Sequence, residues 1–335
     1  MNRRTFIILL TTIIVMNLLL ILNRDNFGRD EASVVLPGLD TVLNDITKLT
    51  IKTAGNQTVT TLMRGTERWT VAERGNYPAD VGKIRQNLIA LANATVIEEK
   101  TADPALYARL GVEDIAGEDA TGIELIIDSL NSSYRIIVGK TGIRGSQAYA
   151  RIPDSDTSLL IAANLELGSE PTDWLDRTLI DIPSTDIVRV TTTHPDGETV
   201  TIQKNGPDAS NFELVNQPVD NELTTPGAIN SIGSLLTSLS FDDVSTRANA
   251  SLNDHRPIVT RFVTFAGLVI IANVHSSADQ NFVSFEFTTD TEGEASRATA
   301  SAEADELDAR YGKWLFILPS YKLEQLTRRQ ADLLK

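Results

Sequence analysis

The chain has 335 residues, 41% of them hydrophobic, which is enough to bury two cores of ordinary size. Its formal net charge is −15. Residues 1–24 hold three arginines and no acid, so the remainder carries −18, a balance that repels phosphate backbones and argues against nucleic-acid binding. The absence of cysteine excludes a lipid-modified cysteine anchor and leaves no thiolate to complete a zinc set.

Phe6–Leu22 is a stretch of apolar, Thr and Asn residues preceded by Arg3 and Arg4 and closed by Arg24 and Asp25. At 1.5 Å per residue it would reach about 26 Å as a helix, the short end of what spans a bilayer core. Basic residues ahead of it favour a cytoplasmic N-terminus. It is read as a single-pass transmembrane anchor (1–24), followed by a juxtamembrane stalk (25–40). A cleaved signal peptide is the alternative, although Leu22-Asn23-Arg24-Asp25-Asn26 offers no small-x-small cleavage site.

The body reads as one α+β unit written twice, over 41–167 and 183–322. The first opens with strands at Leu49-Thr50-Ile51, Thr58–Met63 and Trp69-Thr70-Val71. Asp80 then caps a helix whose stripe is Val81, Ile84, Leu88 and Leu91. The second opens with Ile187–Val190, Thr199–Ile202 and Phe212-Glu213-Leu214. Its helix is capped by Thr225, with Pro226 at the first position, and carries Ile229, Ile232, Leu236 and Leu239 at the same spacing. Each unit continues into four strands. These are Ile123–Ile127, Tyr134–Val138, Ala148–Ile152 and Ser158–Ala162 in the first, and Val259–Phe265, Leu268–Val274, Phe282–Phe287 and Trp314–Leu318 in the second. Turn signals stand at Gly139–Gly142 and Ala266-Gly267.

Three segments lie outside this repeat. Residues 168–182 form an amphipathic connector, an acidic insertion spans 288–310, and a charged helical tail covers 323–335. The predicted fold class is therefore α+β: an N-terminal transmembrane helix, then two duplicated units, each a mostly antiparallel sheet with a covering helix.

No motif carries chemistry. Gly139-Lys140-Thr141 resembles the end of a phosphate-binding loop, but Tyr134 stands where the first glycine is needed and Gly142 follows instead of a helix. His194, His255 and His275 do not pair at helical spacing and read as solvent-facing. The acids of the insertion fail the calcium-loop pattern, because the Gly of Asp290–Glu294 stands fourth, not sixth; the run reads as a solvated loop. No catalytic, cofactor-binding or metal-ligating residue is assigned.

The residues Trp69-Thr70-Val71, Tyr107–Gly111, Ile137-Val138-Gly139, Tyr149-Ala150-Arg151 and Asp173–Asp181 running into Ile187–Val190 give the chain its resemblance. It resembles an uncharacterised family of bacterial inner-membrane proteins that carries a domain of unknown function, often duplicated, and is encoded beside gliding-motility-type ABC transporters. The resemblance covers most of the chain; the insertion from Thr288 falls outside it. It implies a periplasmic accessory subunit tied to inner-membrane ABC-type transporter subunits; the anchor, the duplicated body and the lack of a catalytic motif make the reading a non-enzymatic, membrane-anchored subunit that binds such a transporter complex or its exported or cell-envelope substrate. It implies no cofactor, and the small-molecule ligand is open. The alternative is a periplasmic hydrolase whose site assembles only in three dimensions.

Overall fold

The computed structural model describes residues 33–335 apart from 218–220, 249, 251, 254, 278–279 and 291–296. In chain order the strands are β1 (Ile46–Thr53), β2 (Gln57–Arg64), β3 (Trp69–Val71), β4 (Tyr77–Pro78), β5 (Thr95–Glu99), β6 (Ile123–Ser129), β7 (Ser133–Thr141), β8 (Gln147–Arg151), β9 (Ser158–Ala162), β10 (Thr178–Ile180), β11 (Ile187–Thr193), β12 (Thr199–Gln203), β13 (Glu213–Leu214), β14 (Leu239–Ser240), β15 (Asp243–Thr246), β16 (Ile258–Thr264), β17 (Leu268–Ser276), β18 (Asn281–Thr289) and β19 (Trp314–Ile317). The longer helices are α1 (Val81–Ala92), α2 (Pro226–Gly233), α3 (Arg297–Tyr311) and α4 (Ser320–Leu326). They divide into two compact units: residues up to Arg64 with Gly82–Ser169, and Gly65–Val81 with Glu170–Lys335.

In the first unit seven strands run in the order β2-β1-β6-β7-β8-β9-β5, every neighbour antiparallel. Alternation puts large apolar side chains opposite one another: Leu49 faces Ile127 and Ile51 faces Leu125, and all four are fully buried. Helix α1 buries Ile84, Leu88 and Leu91. It also buries Asn87, whose carboxamide donates to the carbonyls of Lys83 and Glu166 and accepts the Glu166 N–H at 2.8 Å. That amide replaces a backbone partner for the strandless stretch after β9.

The second unit runs β13-β12-β11-β16-β17-β18-β19-β15, again wholly antiparallel. Strand for strand, β11 and β12 take the places of β1 and β2, β16–β19 those of β6–β9, and β15 that of β5. Its core is aromatic. Tyr77 meets Phe241, Trp314 and Phe316 edge-on, and Phe316 lies against Phe241, Phe285 and Tyr311. Burial, reinforced by Tyr311 and Asp176, pushes the Tyr77 phenol well above its ordinary pKa.

Several expectations are corrected. The transmembrane helix expected over Phe6–Leu22 lies outside the described residues, and among the described residues no helix is long and apolar enough to cross a membrane. The architecture observed among the described residues is two large antiparallel sheets and the two-stranded β10–β14 pair, with few helices. Of the expected stalk, residues 25–32 lie outside the described residues. Residues 33–40 are not a stalk: Val35, Leu36 and Leu39 are buried, and Val34 bridges to Thr95. The first unit is not continuous over 41–167, since residues 65–81 cluster with the second. The connector belongs to the second unit as well, with Trp174 fully buried and β10 paired to β14.

Within the elements, Val81 is 40% exposed, so the buried stripe of α1 starts at Ile84. Helix α2 stops at Gly233; Leu236 and Leu239 are buried, but from a turn and from β14. Gly139-Lys140-Thr141 is not a turn but the end of β7. Much of the supposed loop at 288–310 is α3, which turns Ala300, Ala304 and Tyr311 inward; 291–296 lie outside the described residues. The tail is two short helices, α4 and Gln330–Leu333, rather than one.

Leu88→Ala and Leu236→Ala should each destabilise the chain by roughly 2–5 kcal/mol, as truncations in a packed core do. Val81→Ala should cost well under half of that. Urea denaturation followed by circular dichroism checks both.

Candidate functional site

Two constellations of polar side chains stand out, one in each unit. In the first, the helical turn Tyr107–Leu110 ends at Gly111, whose φ of 72° closes it in the left-handed region. The turn lies hard against β7. A Cβ on Gly139 would stand 2.3 Å from the Leu110 carbonyl oxygen and 2.7 Å from that of Gly111, so only glycine fits there. Tyr107, Val112 and Ile137 form a buried cluster with Leu110 and Tyr149.

Arg151, at the end of β8 and 4% exposed, ties this segment down. Its Nε donates to the Val112 carbonyl at 2.9 Å, and its Nη1 to those of Pro153 and Ser155 at 3.1 and 3.2 Å. The guanidinium sits 4.8 Å over the Tyr107 ring, and the Tyr107 hydroxyl donates to the Asp156 carbonyl. Nη2 comes to 3.6 Å from Asp114, a charge contact too long to be a hydrogen bond. Buried Glu124 is held similarly: one carboxylate oxygen accepts from Arg135 at 2.6 and 2.8 Å and the other has no partner. Both arginines serve structure.

In the second unit the constellation is His194, Asp196 and Glu198 on the β11–β12 turn. His194, which the sequence alone places in solvent, is 3% exposed. Its Nε2 lies 3.3 Å from the Arg328 carbonyl and its Nδ1 has no partner. Arg329 bonds Glu198 and, at 2.8 Å, Asp196, while Glu198 also accepts the Gln330 N–H at 2.8 Å. Thr260 donates to the Leu326 carbonyl at 2.8 Å and lies 3.1 Å from the Thr192 hydroxyl. With Leu326 and Leu333 fully buried, these contacts dock the C-terminal segment on the sheet.

The electrostatics match this docking. The Glu198 backbone N–H, then Arg329, hold the Asp196 carboxyl below its ordinary 3.8. The Gln330 backbone N–H holds Glu198 below its ordinary 4.5; desolvation opposes this and Arg329 adds to it.

The other two histidines stand apart. His275 is half-buried on β17 with Nε2 2.9 Å from the Ser284 hydroxyl. Burial, then Arg247, lowers its pKa, against a raising effect of Glu286. His255 is exposed. A cleft of about 370 Å³ beside Pro183 is lined by Asp181, Asp186 and Glu303, but Asp181 is engaged by the Ser238 N–H at 2.7 Å. Among the described residues no three histidines or acids come together as a metal set. Neither constellation is legible in the sequence. Arg151 enters there only as part of a short motif, and the carbonyls it binds have no signature in side-chain types.

The family model for Domain of unknown function (DUF4340) matches residues 69–256, more than half of the chain. The chain belongs to this family. No curated protein and no solved structure matches it. The DUF4340 match takes in the Tyr107–Gly111 turn, Arg151 and the His194 turn, whereas Arg329 and Gln330, which hold that turn's acids, lie beyond it.

Arg151→Met should cost about 3 kcal/mol in urea denaturation, because it strands three carbonyls. Arg151→Lys should restore little of it, since an ammonium cannot supply the fork or stack on Tyr107. The tail should also respond to acid. Carboxyls held low in the docked state contribute stability that is full above their ordinary values of 3.8 and 4.5. It is lost as pH falls through the lowered ones. Once intrinsic rates are divided out, amide exchange at Arg329 and Gln330 should therefore accelerate as pH drops below about 4, with the β6–β7 hairpin protected as a control.

Proposed function

We infer that the chain is a non-enzymatic binding subunit that works at the bacterial cytoplasmic membrane, with its two sheet units on the periplasmic side. Its partner is an ABC-type transporter complex or the exported or cell-envelope material such a complex handles. The observation that carries the non-enzymatic reading is the fate of the His194 turn. A general base must keep a nitrogen and an open approach for substrate. His194 keeps an unpartnered Nδ1 but no open approach, since it is buried with Nε2 donating to the Arg328 carbonyl, and Asp196 and Glu198 are taken up by Arg329 and Gln330. The groups best suited to catalysis are thus spent on docking the tail.

The membrane placement is supported by Arg3 and Arg4 ahead of the apolar Phe6–Leu22 in the sequence, and the transporter partner by the family resemblance. A membrane location raises the local concentration of a membrane partner, so a modest interface suffices.

The test is co-purification in mild detergent of the tagged chain with co-expressed ABC-type transporter subunits from the same source, together with a cell-based assay of the transporter. Stoichiometric recovery is expected, and His255→Ala and His275→Ala should leave both recovery and function unchanged. A histidine substitution that abolishes function while fold and association persist would favour a hydrolase.

A further inference from the structure

We propose that the second unit carries a binding site for a small hydroxylated anion, of the class of sugar acids and sugar phosphates, in the cleft formed by Arg68, Asn76, Glu306, Arg310, Lys313 and Trp314. The site stands on its own residues, whichever partner the chain serves. Its volume is about 650 Å³, within the usual range of roughly 300–1,000 Å³ for small-molecule sites.

Besides Arg68, just ahead of β3, the site is assembled from two parts of the unit. One is the turn before β4, where Gly75 and Asn76 both adopt left-handed backbone, at φ 65° and 62°. A Cβ on Gly75 would fall 2.7 Å from the Thr246 methyl and 3.4 Å from the Trp314 ring, so glycine lets the turn press against the β15–β19 pair. Arg74 fixes it there through a bidentate pair with Asp243, at 2.6 and 3.1 Å. Asn76 is thereby held at the rim and exposed. The other part is the last two turns of α3, which supply Glu306 and Arg310, with Lys313 two residues beyond its end. The Lys313 ammonium rests 5.0 Å over the Trp314 ring and the Arg310 guanidinium 5.0 Å over Tyr311, so aromatic faces set both cations.

The charge is the telling feature. Three cations and one carboxylate line a single depression on a chain of net charge −15. The helix dipole accounts for Arg310 and Lys313 at the end of α3. It does not account for Arg68, which comes from a separate turn. The acidic partners are distant or solvated: Arg310 is 3.9 Å from Asp176 and Arg68 3.8 Å from Glu67, itself 80% exposed. Among the described residues Lys313 has no ion pair. Guanidinium forks suit a carboxylate or a phosphate, and the Glu306 carboxylate and the Asn76 carboxamide can meet hydroxyl groups beside it.

Isothermal titration of the full-length chain in detergent tests the site, with glucuronate and glucose 6-phosphate as probes and glucose and inorganic phosphate as controls. At least one probe should bind at one site, more tightly than either control, and more weakly as salt rises. Arg310→Gln and Arg68→Gln, which lie in different segments and are solvent-exposed, should each weaken it about tenfold, the scale of a charge-assisted hydrogen bond. Unchanged thermal denaturation shows that the variants remain folded. Which probe binds decides between carboxylate and phosphate. Failure of both probes at millimolar concentration overturns the proposal, as does binding indifferent to both substitutions or matched by inorganic phosphate.

Discussion

Both units depend on one long-range ladder. The chain enters each sheet in its middle, at β1 or β11, turns back through a hairpin, passes through a helix, and then must reach the far edge before the remaining strands exist. In the first unit the strand after α1 is β5, and its partner β9 comes only after β6, β7 and β8, pairing Thr95 with Ala162 and Glu99 with Leu159. In the second, β15 waits for β19 and pairs Asp243 with Ile317 and Thr246 with Trp314. Neither β5 nor β15 has a ladder until its unit is complete. The hairpins β6–β7–β8 and β16–β17–β18 are local and can form early; closing the sheet requires ordering everything between, which makes each unit cooperative and comparatively slow to fold.

The units share a path and differ in what covers equivalent strands. In the first, the Tyr107–Val112 segment lies on β7 and β8, admitted by Gly139 and held by Arg151. In the second, α3 packs on β17 and β18, burying Ala300 and Ala304 and bringing the Tyr311 ring to 6.3 Å from that of Phe287. One solution uses backbone carbonyls on a buried guanidinium, the other small alanines and an aromatic. A buried arginine that bonds three carbonyls fixes geometry strictly, because every unmet acceptor costs free energy. Alanines on a sheet permit close approach with little directional demand.

That contrast explains what the sequence discloses. Long strands with β-branched alternation, such as Leu268–Ser276, announce themselves, and so does the Ile84-Leu88-Leu91 stripe. Strands β5 and β15 do not, since Val96-Ile97-Glu98-Glu99 and Asp243-Val244 are short and charged and become strands only through the closing ladder. Helix α3 is hidden because its buried face is Ala300 and Ala304 amid acids, a stripe with almost no hydrophobic contrast. Helix α2 reads too long because Leu235, Leu236 and Leu239 stay buried after Gly233, so burial continues where helical hydrogen bonding does not. His194 cannot be placed from its neighbours: its burial depends on Arg328, 134 residues further on.

The edges of the sheets bear on how the proposed partner would be met. Strand addition needs an exposed, flat, apolar edge. In the first unit β5 is bridged at its start by Val34 and Ser33, and Glu98, Glu99 and Lys100 follow in the open. In the second, β13 is only two residues long. Such edges oppose pairing with another chain, a protection that matters for a sequence this rich in strands. Recognition of the proposed partner would then fall to side chains rather than to backbone ladders. On a surface dominated by carboxylates, the groups that can attract an anionic ligand are the arginines and lysines gathered by the fold. Tertiary structure brings Arg68 to Arg310 and Lys313 although almost the whole of the second unit's sequence separates them. A cation grouping of that kind is invisible to composition and to net charge, because both average over the acids that surround it.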